Sequence, residues 1–265
     1  FLEKKSYISD LHGIAHEEMW HKSFSNSLPH WKKFGFRIKS NAIKKLEKKI
    51  WINSLHLVCA SDAIYEKVKN IQTATVVRNA VNVNQFPITQ CNDLRVAVVG
   101  PFLPGTQNYD ALELLHYCVK NLPTIHFDFI GDASDDFKNS LNFLNVNFLG
   151  RVKNYIETLS HCNVLLSPYP DHSHIVASKT KMLEAAACQM AVLTSESGGL
   201  GFPDDLLLIG KSKKDFIQKL EYLKDEKARN DLGKNLRSEI LKNYNTETET
   251  IKLLKLYDEF LPQIP

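Results

Sequence analysis

The sequence predicts an α/β protein whose second half is a doubly wound parallel sheet. Two observations carry this prediction: short, almost continuous apolar runs recur from residue 94 onward, and stretches with helical periodicity separate most of them. Strands of this kind, alternating with helices, are typical of a parallel sheet covered on both faces. A composition of 43% hydrophobic and 24% charged residues is that of an ordinary globular protein, which excludes disordered and collagen-like classes.

The first 90 residues have a less regular rhythm and predict short strands and helices. In chain order these are a strand at 7–9, a helix at 39–51, an apolar strand at 55–59, a helix at 63–70 capped by Ser61-Asp62, and a strand at 74–77. Residues 87–93 have no apolar rhythm and are interpreted as a linker.

From residue 94 the pattern becomes regular. The apolar runs predict about six strands, at 94–99, 125–130, 146–149, 163–167, 191–194 and 206–209. Helical periodicity covers 109–122, 155–161, 179–188 and 213–223, and an amphipathic helix is predicted over 246–260. This alternation is the pattern of a doubly wound α/β domain.

Charge and cysteine usage exclude several classes of protein. Lys+Arg 33 against Asp+Glu 30 gives a net charge of +3, too mild for a dedicated nucleic-acid binder, so we expect no nucleic-acid partner. No stretch approaches the roughly 18 apolar residues of a membrane span. The five cysteines lie far apart, without zinc or disulfide spacing. We interpret them as buried thiols of a reducing compartment, which indicates a cytoplasmic location.

One helix start at the carboxyl edge of the predicted sheet has the chemistry of an anion site. Ligands of open parallel sheets bind outside the carboxyl ends of the strands. Lys179 and Lys181 begin a helix after the fourth strand of this half, and their charges beside the exposed N–H groups suit a phosphate or diphosphate. Glu184 follows three residues later. We expect it either to bind a ligand hydroxyl or to pair with Lys181 along the helix.

Glycine-containing turns follow two other strands at the same edge. Gly100 and Gly105 lie in the loop after the first strand of this half, and Gly199 and Leu200 follow the fifth. Such a turn lets a ligand approach backbone N–H groups. A plain strand–helix connection explains the same residues equally well.

Five sequence blocks resemble, in order, those of the retaining GT-B glycosyltransferases, the large "glycosyl transferases group 1" family. Residues 178–192 (SKTKMLEAAACQMAV) are similar to its K-x-LEA-x-A-x-G-x-PVV core. The other blocks are DLHG at 10–13, LVCAS at 57–61, VVRNAVN at 76–82 and FLGRV at 148–152. Each block is short, but the ordered set covers nearly the whole chain.

The resemblance implies a GT-B-like fold in three parts. These are a partial N-terminal Rossmann-like domain over 1–90 on the acceptor side, a complete C-terminal domain over 91–244 that binds the nucleotide-sugar, and a helix over 245–265 that crosses back to the first domain. The implied reaction moves a sugar with retention from a UDP- or GDP-sugar to a glycan, lipid or protein acceptor, without a metal or other cofactor. A glycan or lipid-linked acceptor is expected, with peripheral contact at the inner face of the membrane for which the Lys-rich stretch 32–49 is a candidate. A solvated helix face explains those lysines equally well.

By the same resemblance, His12 and Lys181 are the candidate catalytic residues. Glu184 matches the carboxylate that binds the ribose hydroxyls of the donor. The other donor-binding candidates are Lys179, Arg78, Gly100, Gly105, Gly199 and Leu200. Arg78 and Arg151 are the two candidates to replace the cationic pair that the first loop lacks, and the sequence does not place either of them. The sequence has no DxD pair after a strand, so no metal site is expected.

The chain departs from the family pattern in several places. Val176 stands where the first Glu of the E-x7-E motif belongs, and Cys188-Gln189 replaces the family's glycine. Only nine residues precede Asp10, so we expect most of the N-terminal domain to be missing, as in a fragment or a shortened member. His172 and His174 follow the fourth strand, where they either approach the donor sugar or, as we expect of loop histidines, are exposed.

These departures keep two alternatives open. One is a non-catalytic GT-B-like module that binds glycan or a partner glycosyltransferase. The other is a sugar-nucleotide epimerase, which needs carboxylates between the domains. Only Glu17 and Glu18 lie near His12 in sequence to supply them.

Overall fold

Two parallel sheets organise the chain in a computed structural model that describes residues 6–25, 28–89, 91, 93–203 and 205–260. A three-stranded sheet has the order β1-β2-β3, and a six-stranded sheet has the order β6-β5-β4-β7-β8-β9. The strands are β1 (Ile8–Leu11), β2 (His56–Cys59), β3 (Ala74–Val76), β4 (Arg95–Val99), β5 (His126–Ile130), β6 (Val146–Gly150), β7 (Val164–Ser167), β8 (Ala191–Ser195) and β9 (Leu208–Gly210). Each of them overlaps a strand that the sequence predicts.

The described helices connect and cover these strands. Around the small sheet they are α1 (Ala15–Lys22), α2 (His30–Asn53) and α3 (Asp62–Val68), and the last is capped by the Ser61 hydroxyl as predicted. Around the large sheet they are α4 (Gln107–Asp110), α5 (Leu112–Asn121), α6 (Asp135–Ser140), α7 (Tyr155–Ser160), α8 (Thr180–Ala187), α9 (Glu196–Gly199), α10 (Lys213–Tyr222), α11 (Glu226–Asn243) and α12 (Thr246–Phe260).

Two long helices differ from the sequence prediction. Helix α2 begins nine residues earlier than its predicted start at residue 39, and the apolar residues of those first turns, Trp31, Phe34 and Ile38, are at helical spacing but exposed. The sequence pattern missed α11, whose buried positions are Arg229, Gly233, Leu236 and Ile240. A narrow stripe with only two aliphatic members is a weak periodic signal.

The large sheet has the strand order that makes a ligand crevice. If β4 is counted as strand 1, the order is 3-2-1-4-5-6, which is that of a doubly wound fold. Strands 2 and 3 lie on one side of strand 1 and strands 4 to 6 on the other, so the strand order reverses between the first and fourth strands. Here those strands are β4 and β7, and their carboxyl ends define the crevice. Alternate residues face opposite cores: Val96 and Val98 pack in one apolar cluster, and Ala97 packs in the other.

The small sheet completes its core with residues from the other half of the chain. Its cluster contains Leu11, Ile14 and Trp51, and also Val176 and Ala177, which lie between β7 and α8. Helix α12 returns to this sheet, where the Phe260 ring lies 5.1 Å from the His56 ring of β2. The two halves are therefore packed together through the segment before α8 and through the last helix.

All five cysteines are free thiols, and four of them are buried while Cys91 is partly exposed. The burial expected from the sequence is confirmed for four of the five. Among the residues that the structure describes, no helix is both long enough and apolar enough to span a bilayer.

Candidate functional site

Lys181 lies in the crevice between β4 and β7. Its ammonium donates a hydrogen bond of 3.0 Å to the carbonyl of Val99, the last residue of β4. It also lies 5.6 Å from the centroid of the Tyr169 ring, just beyond the end of β7. Burial lowers the pKa of Lys181 to about 8, although the nearby Glu184 carboxylate favours the charged form. One donor is used by Val99, which leaves two for a ligand.

Glu184 lies one turn further along α8 and accepts a 2.9 Å hydrogen bond from the Tyr155 hydroxyl at the start of α7. Burial raises the pKa of the Glu184 carboxyl, while the Tyr155 bond and the charge of Lys181 act in the opposite direction. Lys181 bonds to Val99 and Glu184 to Tyr155, and their charges interact, but within the described residues no hydrogen bond joins Lys181 directly to Glu184. A half-buried carboxylate with one oxygen on a phenol is suited to accept from a ligand hydroxyl.

Lys179, the residue before α8, has an internal role. Its ammonium donates to the carbonyls of Ile175 (2.7 Å), Leu200 (2.5 Å) and Ser197 (3.5 Å). An ammonium has three donors, so all of them are used. Burial lowers the pKa of Lys179 to about 7. Its side chain therefore holds the segment before α8 against the loop after α9.

Residues 168–179, which we call the bridging loop, connect the crevice to the small sheet. The Ser178 hydroxyl donates to the Gly201 carbonyl at 2.9 Å, and Asn79 donates to the Ser178 carbonyl at 3.0 Å. Gly201 has φ +88°, and a Cβ there would lie 2.7 Å from the carbonyl carbon of Ala177. Only glycine tolerates both conditions, so the loop after α9 can approach the bridging loop closely.

The predicted glycines lie in loops at this edge. Gly100 follows β4, and its N–H donates to the Ile130 carbonyl at 2.8 Å. Gly105 has φ +85° and open space where a Cβ would be. Gly199 ends α9, and the Leu200 carbonyl is one of the three acceptors of Lys179. The structure thus brings Gly100, Gly105, Gly199 and Leu200 to the carboxyl edge that also holds Lys181.

His12 follows the carboxyl end of β1 and is connected to the bridging loop. Its Nδ1 lies 3.1 Å from Oδ1 of Asn79, and its Nε2 lies 3.1 Å from Oδ2 of Asp10. The imidazole side chain is 65% exposed. Because Asn79 also bonds to Ser178, one amide side chain joins His12 to the segment that leads into α8.

The structure does not bring Arg78 to Lys181. Its guanidinium pairs with Asp62 at 2.6 Å and lies 5.9 Å from the Tyr244 ring centroid. The backbone N–H of Arg78 donates to the carboxylate of Glu249 on α12 at 2.8 Å. Arg78 lines a separate pocket of about 330 Å³. The expectation that it replaces the missing cationic pair of the first loop is therefore not supported by its contacts.

The two loop histidines are mostly buried, so the expectation that they are exposed is wrong. His172 lies 3.2 Å from Asp110 with its side chain 17% exposed. His174 lies 3.2 Å from Glu17 with its side chain 22% exposed, and it stacks on His21 with ring centroids 4.0 Å apart. Both interactions cross long sequence separations, which is why no local pattern indicated them.

Sequence reasoning also missed Tyr155 and Asn79 as site residues. The sequence pattern identifies Tyr155 only as the first residue of a helix, and it identifies Asn79 only as part of a sequence block. The signal that finds them is their hydrogen bonding to Glu184 and His12, which only the fold supplies. Within the described parts of the chain, no group of three or more His, Cys, Asp or Glu side chains is arranged to hold a metal ion.

A family model described as "Glycosyl transferase-like" matches residues 107–255. That range contains α8, the bridging loop and Glu184. No curated protein sequence matches the chain.

Solved structures with the GT-B glycosyltransferase fold match the chain over nearly its whole length. Sucrose-phosphate synthase from Thermosynechococcus elongatus is similar with a TM-score of 0.76 and 16% identity, over 97% of this chain and 68% of that one. A mutant of TarM from S. aureus, in complex with Fondaparinux, alpha-GlcNAc-glycerol and UDP, is similar with a TM-score of 0.69 and 19% identity, over 95% of this chain and 50% of that one. Anabaena HepE, in complex with UDP and glucose, is similar with a TM-score of 0.68 and 13% identity, over 96% of this chain and 71% of that one. At these identities the likeness shows the fold, and the chain spans between half and about 70% of the matched structures.

Proposed function

This chain belongs to the glycosyl transferase-like family, and from that premise we propose that it binds a nucleoside diphospho-sugar in the β4–β7 crevice and transfers the sugar with retention. The observation that carries the proposal is the pair of side chains on α8. Lys181 places a cation at the carboxyl end of β4, and Glu184 places a hydrogen-bond acceptor one turn away. The crevice rule of doubly wound sheets puts a nucleotide at this point.

Each side chain has a distinct task in this proposal. The Lys181 ammonium and the N–H groups at the start of α8 stabilise the diphosphate, including the charge that develops when the sugar leaves. Helix α8 has no side-chain cap, and the N–H groups of Met182 and Leu183 donate to the Lys179 carbonyl, so those of Thr180 and Lys181 are the ones left for a ligand. Glu184 accepts from the ribose hydroxyls. With the leaving charge stabilised in this way, the reaction needs no metal.

We propose a UDP-sugar as the donor, with a GDP-sugar as the alternative. The support is that the TarM and HepE structures contain UDP. His12 lies beyond the carboxyl end of β1 and is bonded through Asn79 to the bridging loop. We place it beside the transferred sugar, on the side from which a glycan or lipid-linked acceptor arrives.

The test is calorimetric titration of the whole chain with UDP, GDP and ADP. We expect one nucleotide to bind, and Glu184→Ala to weaken it at least tenfold, because one or two hydrogen bonds to a charged group are lost. Glu157→Ala is the matched control, since Glu157 is exposed on α7 and its carboxylate, among the described residues, bonds only to Asn154. Unchanged binding in Glu184→Ala would remove the site from consideration.

One observation favours the non-catalytic alternative, a module that binds glycan or a partner glycosyltransferase. Val176 occupies the position of the first motif carboxylate, and it is only 4% exposed within the core of the small sheet. The two proposals differ in turnover. UDP release from a UDP-sugar in the presence of acceptor glycans supports the enzyme, whereas glycan binding without nucleotide binding supports the module.

We also propose that the amino-terminal turns of α2 contact an anionic membrane surface. Trp31, Phe34 and Ile38 are 71%, 66% and 55% exposed at helical spacing. Lys32 and Lys39 are exposed on the same turns. Aromatic side chains interleaved with lysines are typical of helices that lie in a lipid interface. Co-sedimentation with anionic vesicles should be lost in a Trp31→Ser/Phe34→Ser variant, and equal sedimentation with neutral vesicles would count against the proposal.

A further inference from the structure

A second cavity lies among the helices around the small sheet. Its volume is about 500 Å³, and α1, α2, α3 and the bridging loop line it. The side chains that matter in it are Glu17, Trp20, His21, Lys44, Lys67 and His174. None of them belongs to the crevice of Lys181 and Glu184.

The cavity has more basic groups than acidic ones. Glu17 receives hydrogen bonds from Lys67 and, at 3.2 Å, from His174 through the same oxygen, Oε2. Burial alone would raise the pKa of Glu17, but the bonds and charges of Lys67 and His174 lower it. His16, also in the lining, is matched by Glu47 at 2.6 Å. One carboxylate, Glu17, is therefore shared among the remaining basic side chains.

Two of those basic side chains lack polar partners. Within the described residues, Lys44 has no ion pair or hydrogen bond, and neither ring nitrogen of His21 has a hydrogen-bond partner. The His21 ring stacks on His174 with centroids 4.0 Å apart and planes 9° from parallel. An anion between them and the two lysines would satisfy these donors.

We propose that this cavity is a subsite for a phosphoryl group on the acceptor, with an adjoining sugar ring against Trp20. A phosphoryl group carries up to two negative charges and several acceptor oxygens, which matches two lysines and two imidazoles better than a single carboxylate does. Trp20 is 42% exposed and supplies an aromatic wall at the cavity. The volume accommodates a hexosyl phosphate and is small for a folded partner.

The bridging loop connects the two sites. His174 lines this cavity, while Ile175 and Ser178 of the same loop bond to Lys179 and Asn79 next to α8. An acceptor held at His174 is therefore positioned by the same segment that leads to the donor crevice. The subsite rests on the proposed transferase function, because only a transferase has an acceptor. The binding of an anion in this cavity can nevertheless be measured independently of sugar transfer.

The experiment titrates the whole chain with a hexose 1-phosphate and with the uncharged methyl hexoside, following the His21 and Trp20 ring protons by NMR. We expect only the phosphate to bind. Lys44→Ala should weaken it about tenfold, the effect of losing one charge-assisted hydrogen bond. Lys45→Ala is the matched control, because Lys45 is the next residue on α2, is exposed, and does not line the cavity. His21→Phe keeps the stacked ring without its nitrogens and should also weaken binding.

Two variants with opposite expected effects distinguish this inference from the proposed function. UDP binding should fall in Glu184→Ala and persist in Lys44→Ala, while hexose 1-phosphate binding should show the reverse. Phosphate binding that falls only in Glu184→Ala, equal loss in Lys44→Ala and Lys45→Ala, or no binding up to about 10 mM overturns the subsite. If UDP fails to bind but the phosphate still depends on Lys44, the subsite stands and the donor proposal fails.

The phosphoryl group has two sources, a soluble sugar phosphate or a lipid-linked one. A parallel titration with an alkyl-linked hexosyl phosphate distinguishes them. Tighter binding of the alkyl form, lost in the Trp31→Ser/Phe34→Ser variant, identifies the lipid-linked source. Equal affinity for both forms identifies the soluble one.

Discussion

The two sheets of this chain are unequal in how they complete their cores. The six-stranded sheet has an apolar cluster on each face, built largely from its own strands and covering helices. The three-stranded sheet includes Val176 and Ala177 of the bridging loop in its cluster, and Leu200 packs at the margin. Three short strands bury little surface by themselves. The smaller half is therefore stabilised by a segment that lies beside the β4–β7 crevice.

This difference explains the most visible departure from the family pattern. The position of the first motif carboxylate is occupied by Val176, which packs with Leu11, Ile14 and Trp51. A buried apolar contact there joins the two halves, whereas a carboxylate would need a polar partner. The residue that the pattern assigns to chemistry has a structural task in this chain.

The largest expected effect comes from restoring the pattern. Val176→Glu places a carboxylate in an apolar cluster, and we expect the free energy of unfolding to fall by about 3–5 kcal/mol. Val176→Thr, which keeps the shape, should lose about 1–2 kcal/mol. Denaturant unfolding followed by tryptophan fluorescence measures both. If Val176→Glu retained wild-type stability and increased sugar transfer, position 176 would face the crevice and the comparison above would be wrong.

The second prediction concerns charge in the crevice of the larger half. Burial lowers the pKa of Lys181 to about 8, so the ammonium is charged at pH 7 and loses its proton as the pH rises through 8. UDP affinity should therefore fall by up to about tenfold per pH unit above 8, since the diphosphate binds the charged form. Calorimetry between pH 7 and 9.5 measures this fall.

Lys181→Arg identifies the group responsible, because a guanidinium stays charged over that range. Glu184, Tyr155 and Lys179 are the other titratable groups beside this part of α8, and the pKa of Lys179 is lowered by burial to about 7. If the affinity of Lys181→Arg fell with pH as in the wild type, Lys179 would be the titrating group.

A smaller effect is expected where a single amide joins the halves. Asn79→Ala removes the bond to His12 and the bond to the Ser178 carbonyl, and we expect a loss of about 1–2 kcal/mol in the free energy of unfolding. It should also lower kcat more than it changes the donor KM, because His12 is positioned and the nucleotide is not. Asn84→Ala is the control on an exposed turn. Equal effects of the two variants would show that Asn79 does not couple the halves.

The parts that local patterns determine were predictable, and the parts made by distant contacts were not. All nine described strands overlap a predicted strand, and the six strands of the large sheet follow from apolar runs. Lys181 and Glu184 follow from a helix start placed after a strand. The Tyr155–Glu184 bond spans 29 residues, and the His174–Glu17 bond spans 157. No periodicity or motif connects residues at such separations. Arg78 shows the same limit, since its Asp62 and Glu249 partners are set by the packing of α3 and α12.

The smallest effect concerns the second departure from the family pattern, at the carboxyl end of α8. Gln189 has φ 62°, a left-handed backbone conformation that residues other than glycine adopt at a penalty of about 1–2 kcal/mol. The N–H of Gln189 donates to Ala186 and that of Met190 to Ala185, the bond pair of a helix end that favours glycine. The family pattern that the sequence resembles has its glycine at this position.

Gln189→Gly should therefore raise the free energy of unfolding by about 0.5–1 kcal/mol, after the larger entropy of the unfolded chain is subtracted. Gln189→Ala should give no gain, because alanine keeps the Cβ, and thermal unfolding of the two variants measures the difference. A gain in both would assign the effect to the glutamine side chain and not to the backbone. The departure at Gln189 thus changes a backbone preference by about 1 kcal/mol within the larger half of the chain. The other, at Val176, supports the smaller sheet, and only there does restoring the pattern threaten the fold.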